Sequence, residues 1–425
     1  MNRRWFFRLI CCAWLLLLPV ARGQAEPIIP PGARVAIIGD SITEQKLYSR
    51  FVAEYLIACM PQLDARVVQL GWGGERARDL AARLEEHVLP YRPTVVTLCY
   101  GMNDGDRMAY SPAIGKAYEE PLRAIVKRLQ EAGTTVVVGS PGVVDSTYYR
   151  GGGEPAKVYN ETLGQLRDIA RQVAADTGST FADVHAPMME IMGKAKAELG
   201  DSYDVAGRDG VHPNANGHLV MAYAFLKAMG CDGDLGTITV DLGRNRATAV
   251  NGHSVLSYRD GAVEIESTRY PFCFRDRGGG SIDLRTMLPF VPFEQELNRL
   301  TLVVANCPTE QATVTWGATR GTFARADLEK GINLAAEFLG NPFVDAFFRV
   351  DAMILAKQRY DSYLSMNQIG SLPTMEGFAQ RYGAETAAQM EVITKELWVQ
   401  EGRYQDLVQA AVRPVKHTIT VSPLP

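Results

Sequence analysis

From Arg34 to Gly230, short runs that are apolar on both faces alternate with stretches of helical periodicity, and this alternation restricts the fold more than any other feature. The runs are Val35–Gly39 (VAIIG), Arg66–Leu70 (RVVQL), Thr94–Cys99 (TVVTLC), Thr134–Gly139 (TTVVVG) and Ser179–Val184 (STFADV). A strand with no polar alternation has to be covered on both sides, as strands of parallel sheets are. Between the first two runs, Tyr48, Phe51, Val52, Tyr55, Leu56 and Cys59 recur at i, i+3, i+4, i+7 spacing and mark one helix face. Leu80, Leu84 and Val88 mark a second helix, and Leu163, Leu166, Ile169, Ala170 and Val173 a later one. Repeated βα units predict a parallel sheet with helices on both faces.

The pattern changes after Gly230. Thr237–Leu242, Ala262–Glu266, Leu300–Ala305 and Ala312–Trp316 are β-like runs punctuated by turn residues, which predicts a small antiparallel β unit. Helical periodicity returns from Arg325 to about Val412, and His417–Val421 (HTITV) can form a last strand. With 425 residues, 47% of them hydrophobic, the chain is too long for one compact domain. The expected division is residues 1–25, 26–230, a β-rich unit 231–324 and a mainly helical region 325–425. A net charge of −4 gives no reason to expect nucleic acid or an anionic membrane surface as partner.

The first 25 residues read as a signal peptide. Arg3, Arg4 and Arg8 form a basic region, Ala13–Val20 is a short apolar stretch, and small residues at Ala21, Gly23 and Ala25 suit cleavage. The expected destination is the periplasm or the exterior, by the general secretory route rather than the twin-arginine route that Arg3-Arg4 resembles. No later segment has about 18 continuous apolar residues, so no further membrane span is expected. Cys11 and Cys12 fall within the signal, leaving Cys59, Cys99, Cys231, Cys273 and Cys307. That odd number leaves at least one thiol unpaired within the chain, with Cys273 and Cys307 a candidate disulfide.

Three separated motifs carry the chemistry: Gly39-Asp40-Ser41, Gly101-Met102-Asn103-Asp104 and Asp209-Gly210-Val211-His212. The first two follow strand candidates, and in an open parallel sheet ligands bind beyond the strands' carboxyl ends. Ser41 closes the first strand and opens a helix. Ser41-Ile42-Thr43-Glu44 is therefore also a capping box, whose serine and glutamate would satisfy helix-end amides. A nucleophilic serine needs an imidazole to take its proton and an acid to orient that imidazole, and Asp209 and His212 supply both from one loop. Asn103 can offer its side-chain amide to an oxyanion. Gly74, or its neighbour Gly73, can offer a backbone N–H, and so can Ser41. Asp40, Trp72 and Tyr100 lie on or near these loops and are candidate substrate contacts. His87, His185, His218, His253 and His417 lack matching surroundings and read as surface or packing residues. No metal motif is present: there is no His-Glu-x-x-His and no paired cysteine motif with ligand spacing.

The order Gly-Asp-Ser, glycine, Gly-x-Asn-Asp, Asp-x-x-His resembles the SGNH (GDSL-type) hydrolases over about residues 34–230. The resemblance implies a three-layer α/β/α fold around a five-stranded parallel sheet, with no cofactor. It implies Ser41 as nucleophile, Asp209 and His212 as its partners, and Ser41, Gly74 and Asn103 as oxyanion donors. One departure is mild: the first block continues with Ile42 where the family's longer form has leucine. The expected activity is hydrolysis of a small-molecule or polysaccharide ester through an acyl-serine, with an O-acetyl or other short acyl ester of a carbohydrate favoured. The alternatives are a lysophospholipase-like lipid esterase, an envelope acyltransferase with the same triad, and a non-catalytic glycan-binding protein. Oligomeric state is not readable from the chain.

Overall fold

The computed structural model describes residues 28–151, 153–274, 283–369 and 375–425. The expected signal segment, residues 1–25, and Gly152 lie outside them. Five strands, β1 (Arg34–Gly39), β2 (Arg66–Gln69), β3 (Val95–Cys99), β4 (Thr135–Gly139) and β5 (Thr180–Ala182), form an all-parallel sheet in the order β2-β1-β3-β4-β5. Successive residues of β1 serve opposite layers. Ala36 and Ile38 join one core with Leu80, Leu84, Leu122, Ile125 and Val173. Val35 and Ile37 join another with Phe51, Tyr55, Met188, Leu219 and Phe225. The helices α3 (Ala77–His87), α4 (Pro112–Glu131) and α5 (Ala156–Thr177) thus cover one face, and α2 (Tyr48–Glu54), α6 (His185–Leu199) and α7 (Ala215–Ala228) the other. Full burial of a Val or Ile side chain stabilises by about 1.5–3 kcal/mol, against a β-propensity scale spanning about 1 kcal/mol, so burial fixes these strands.

The strand order reverses between β1 and β3, since the chain runs outward to β2 and then returns to the other side of β1. Loops leaving β1 and β3 diverge there and leave a crevice at the carboxyl ends. The expected three-layer α/β/α fold is what the chain adopts.

The C-terminal half is more elaborate than the sequence pattern suggests. Its nine described strands are β6 (Asp234–Asp241), β7 (Arg246–Ala249), β8 (His253–Arg259), β9 (Ala262–Ser267), β10 (Arg299–Ala305), β11 (Gln311–Trp316), β12 (Thr319–Ala324), β13 (Ile332–Asn333) and β14 (Val415–Pro423). They form two sheets, β13-β10-β6-β7 and β12-β11-β14-β9-β8. The second sheet is antiparallel throughout, but β6 and β10 pair in parallel, so the expectation of a purely antiparallel unit needs correcting. His417–Val421 is indeed a strand, and it sits in the middle of its sheet. The helices Val344–Ser362 and Ala384–Ala411 pack on each other, and the first also packs on α2 and β2. The core that starts at Val35 and Ile37 continues without a break through Phe272, Phe293, Trp316 and Ile419. All five described cysteines are buried and free. The Cys273–Cys307 disulfide is therefore not formed: the Cys273 thiol lies by Asn341 and that of Cys307 by Thr309.

Candidate active site

Ser41 is the first residue of the single helical turn α1 (Ser41–Glu44), directly after β1. The cap of that turn is Asp40, whose carboxylate accepts the Ile42 amide at 2.9 Å. This corrects the capping-box reading of Ser41. With the capping role filled by its neighbour, the serine hydroxyl faces away from the helix, and its Oγ lies 2.8 Å from His212 Nε2. On the other side of the ring, His212 Nδ1 is 2.6 Å from Asp209 Oδ2. Asp209 Oδ1 accepts the backbone amides of Val211 and His212 at 2.9 and 2.8 Å. Partial burial alone would raise the Asp209 carboxyl, but these amides and the imidazole outweigh it and hold the group below the usual carboxylate range. An ionised Asp209 accepts the Nδ1 proton, which leaves Nε2 as an acceptor for the Ser41 hydroxyl.

The His212 loop is fastened on two sides. A Cβ on Gly207 would stand 1.8 Å from the His212 carbonyl oxygen, so glycine is required for the loop to fold back on itself. Behind it, Tyr48 N–H donates to His218 Nδ1 at 3.1 Å, and His218 Nε2 meets Gln45 Oε1 at 3.0 Å. Gln45 Nε2 then donates to the Pro213 carbonyl at 3.3 Å. Burial, helped by the neighbouring His212 and Arg50, lowers His218 to about 3, so its ring stays neutral and links the start of α2 to the histidine loop.

Two further loops reach the serine. Residues 71–75 follow β2 and run beside α1: a Cβ on Gly73 would meet Glu44 Oε2 at 2.6 Å and lie 4.0 Å from Ser41 Cβ. Gly74 has φ +77°, and a Cβ there would meet nothing within 4 Å, so this peptide borders open space. Asn103, from the loop after β3, donates through Nδ2 to the Glu75 carbonyl at 2.9 Å, which sets its amide beside the Glu75–Arg76 peptide and leaves a second N–H for another acceptor. Below these loops Glu75 is gripped by Arg83 at 2.5 and 2.7 Å and by the Tyr100 hydroxyl at 2.8 Å. Asp104 accepts the Ala77 and Gly101 amides at 2.9 and 3.0 Å, tying the β3 loop to the start of α3. Burial pushes Asp40 up to about 7, with the Asp104 and Glu75 carboxylates adding to the rise and the Ile42 amide opposing it.

The structure brings Ser41, Gly74, Asn103, Asp209 and His212 to one end of the sheet. It does not do the same for every candidate substrate contact. Tyr100 is 1% exposed and Asp40 2%, so neither can touch a substrate; one props Glu75 and the other caps α1. Trp72 is half-buried, with the Arg83 guanidinium 5.2 Å over its ring and His87 at its edge. Glu75, Arg83, Asp104, Gln45 and His218 are supporting residues that sequence reasoning missed. Asp104 stood inside a recognised motif with no role attached to it, and Glu75 directly follows Gly74.

Residues 37–220 match the GDSL-like lipase/acylhydrolase family. Over 224 residues the chain is 30% identical to an acetylxylan esterase from Geobacillus stearothermophilus, an alignment taking in 48% of this chain and 96% of that protein. The chain belongs to this family. As a GDSL-like acylhydrolase it is an ester hydrolase, and a nucleophile at the end of the first strand fits that chemistry. A gut microbial diltiazem-metabolizing enzyme of known structure aligns over 93% of this chain and 98% of its own, with TM-score 0.73 and 24% identity. The fold shared with it therefore extends beyond Gly230. The crystal structure of a Geobacillus stearothermophilus acetylxylan esterase is 27% identical, covers 48% of this chain and 96% of that one, and has a TM-score of 0.40.

Proposed function

We propose that this GDSL-like hydrolase cleaves O-acetyl or other short acyl esters of carbohydrates through an acyl-Ser41 intermediate. The observation that carries the mechanism is the unbroken line Ser41 Oγ–His212 Nε2, 2.8 Å, and His212 Nδ1–Asp209 Oδ2, 2.6 Å. Ser41 Oγ attacks the ester carbonyl as Nε2 takes its proton, and the imidazolium formed is stabilised by Asp209. The tetrahedral oxyanion is held by Asn103 Nδ2 and the backbone N–H groups of Gly74 and Ser41. As first residue of its helix, Ser41 has an N–H with no intrahelical acceptor. His212 returns the proton to the leaving alcohol. A water molecule then repeats the sequence on the acyl-serine, giving the free acid and the serine.

Two features support a short acyl group on a polar substrate. The site is open, with the Asp209 side chain 56% and the His212 side chain 35% exposed, and the neighbouring Gly73 and Gly74 are exposed. The acetylxylan esterase relative adds chemical precedent. The test is a panel of acetylated sugars against long-chain acyl esters, with a sugar acceptor present, using the whole chain and Ser41→Ala. Turnover of the acetylated sugars to free acetate, lost in the variant, supports the reading. Turnover of long-chain esters alone would put a lipid esterase in its place, and acyl transfer to the added sugar an acyltransferase.

Export remains part of the proposal, resting on Arg3, Arg4, Arg8 and the apolar Ala13–Val20. N-terminal sequencing of the protein recovered from its source would test it, since an intact Met1 start rejects cleavage.

A further inference from the structure

At the opposite end of the sheet from Ser41 lies a cavity of about 610 Å³ between the strand starts and the helix Ala384–Ala411. Its wall includes Arg34, Arg66 and Arg92, with Tyr91, Trp398 and Gln405 from both sides of the junction. Arg34 opens β1, the strand that ends beside Ser41, so about 20 Å of extended chain separates the two places.

Two observations of different kinds indicate a ligand. The first is charge. Arg34 and Arg66 are register partners on adjacent parallel strands, about 4.8 Å apart, where like charges are destabilising. The Arg34 Nε donates at 2.6 Å to the Arg92 carbonyl, which brings the third arginine's backbone into the same cluster. The nearby acids offset this little: Glu401 pairs with Lys357 at 2.9 Å, and Asp406 reaches Arg66 only at 3.5 Å on an exposed surface. The second is shape. The Tyr91 and Trp398 rings, 4.6 Å apart and nearly perpendicular, add an aromatic corner against which a ring can pack.

We propose that this cavity binds a sugar carrying an oxyanion, either a sugar acid or a sugar phosphate. The guanidinium groups take the anion, and the aromatic corner takes a face of the pyranose. The site is separate from the catalytic centre and independent of which ester that centre hydrolyses.

Calorimetric titration of the whole chain with glucuronate, glucose 6-phosphate, glucose and inorganic phosphate tests this. At least one sugar anion should bind at least 10-fold more tightly than both glucose and inorganic phosphate, and the tighter of the two identifies the source of the charge. Arg66→Gln with Arg92→Gln should weaken that binding at least 10-fold while p-nitrophenyl acetate hydrolysis, the check on folding, stays unchanged. The proposal is overturned if neither sugar anion binds, if glucose or inorganic phosphate binds as tightly, or if binding survives the double substitution.

Discussion

The molecule contains two serine–histidine contacts of nearly equal length. Ser41 Oγ lies 2.8 Å from His212 Nε2, and in the C-terminal half Ser267 Oγ lies 2.9 Å from His417 Nε2. What surrounds each pair separates them. Behind His212 stands a carboxylate, which stabilises a positive imidazole. Behind His417 stands the Trp316 indole N–H, a donor, at 3.0 Å. The indole fixes His417 Nδ1 as acceptor and Nε2 as donor, so the Ser267 hydroxyl accepts a hydrogen bond there rather than donating one. Ser267 in turn reaches His253 Nδ1 at 2.6 Å, and His253 Nε2 ends the chain at the Leu235 carbonyl, 2.9 Å away. Burial and the neighbouring His253 lower His417 to about 3, which keeps the ring neutral. The buried relay stitches strands together, whereas the open one moves protons. A short Ser–His distance says little until the group on the far side of the imidazole is known.

The comparison can be broken most sharply at the two serines. Ser41→Ala should reduce kcat/KM on p-nitrophenyl acetate by about 10⁴-fold or more. Its Tm should stay close to that of the parent, because Asp40 supplies the cap; a large fall in Tm with activity intact would return Ser41 to a structural role. Glu75→Gln should come next, since it leaves Arg83 buried without its counter-charge. A loss of about 3–5 kcal/mol in chemical denaturation is expected. Asn103→Ala should lower kcat by roughly 100- to 1,000-fold, with KM little changed, if its amide binds the oxyanion.

Ser267→Ala should do the reverse of Ser41→Ala. Steady-state kinetics should be unaltered while stability falls by about 1–3 kcal/mol, as His253 and His417 lose their shared partner. A further effect is in pH dependence. A histidine whose folded pKa is lowered contributes stability that is present above its unfolded value and is lost as pH falls towards the folded one. His417, at about 3 in the folded state against 6.5 as its ordinary value, should make Tm fall as pH drops from about 6.5 towards 4. His417→Gln should flatten that segment of the Tm–pH curve, and an unchanged slope would mean that His417 titrates normally.

The parallel sheet was legible because β1, β3 and β4 are near-continuous apolar runs, a pattern that few other environments tolerate. The second half was less so. β7 (Arg246–Ala249) is only four residues long, and β8 (His253–Arg259) is largely exposed and carries no clean alternation. The parallel pairing of β6 with β10 and the central place of β14 depend on partners far away in the chain, which local pattern does not encode. Around the site, Ser41, Asn103, Asp209 and His212 announced themselves through spacing. Asp40 and Tyr100 misled, because an acid and an aromatic next to a reactive loop look like ligand contacts until burial is known. The Gln45–His218 brace was illegible for a related reason. It joins residues 173 positions apart, and neither end belongs to a motif.

The helix Val344–Ser362 has a consequence for how the molecule meets copies of itself. β2 ends the parallel sheet, and an exposed end strand invites another chain to extend the sheet. Here Asp361 accepts the Gln69 amide at 3.3 Å, and Ser362 donates to the Gln69 side chain at 3.1 Å. The same glutamine donates to the Thr43 carbonyl at 2.7 Å, two residues beyond the nucleophile. A buried acid thus occupies an N–H that would otherwise recruit an intruding strand. Shortening the chain after residue 230 would uncover that border together with the apolar flank of α2, and the freed half would be prone to polymerise through it.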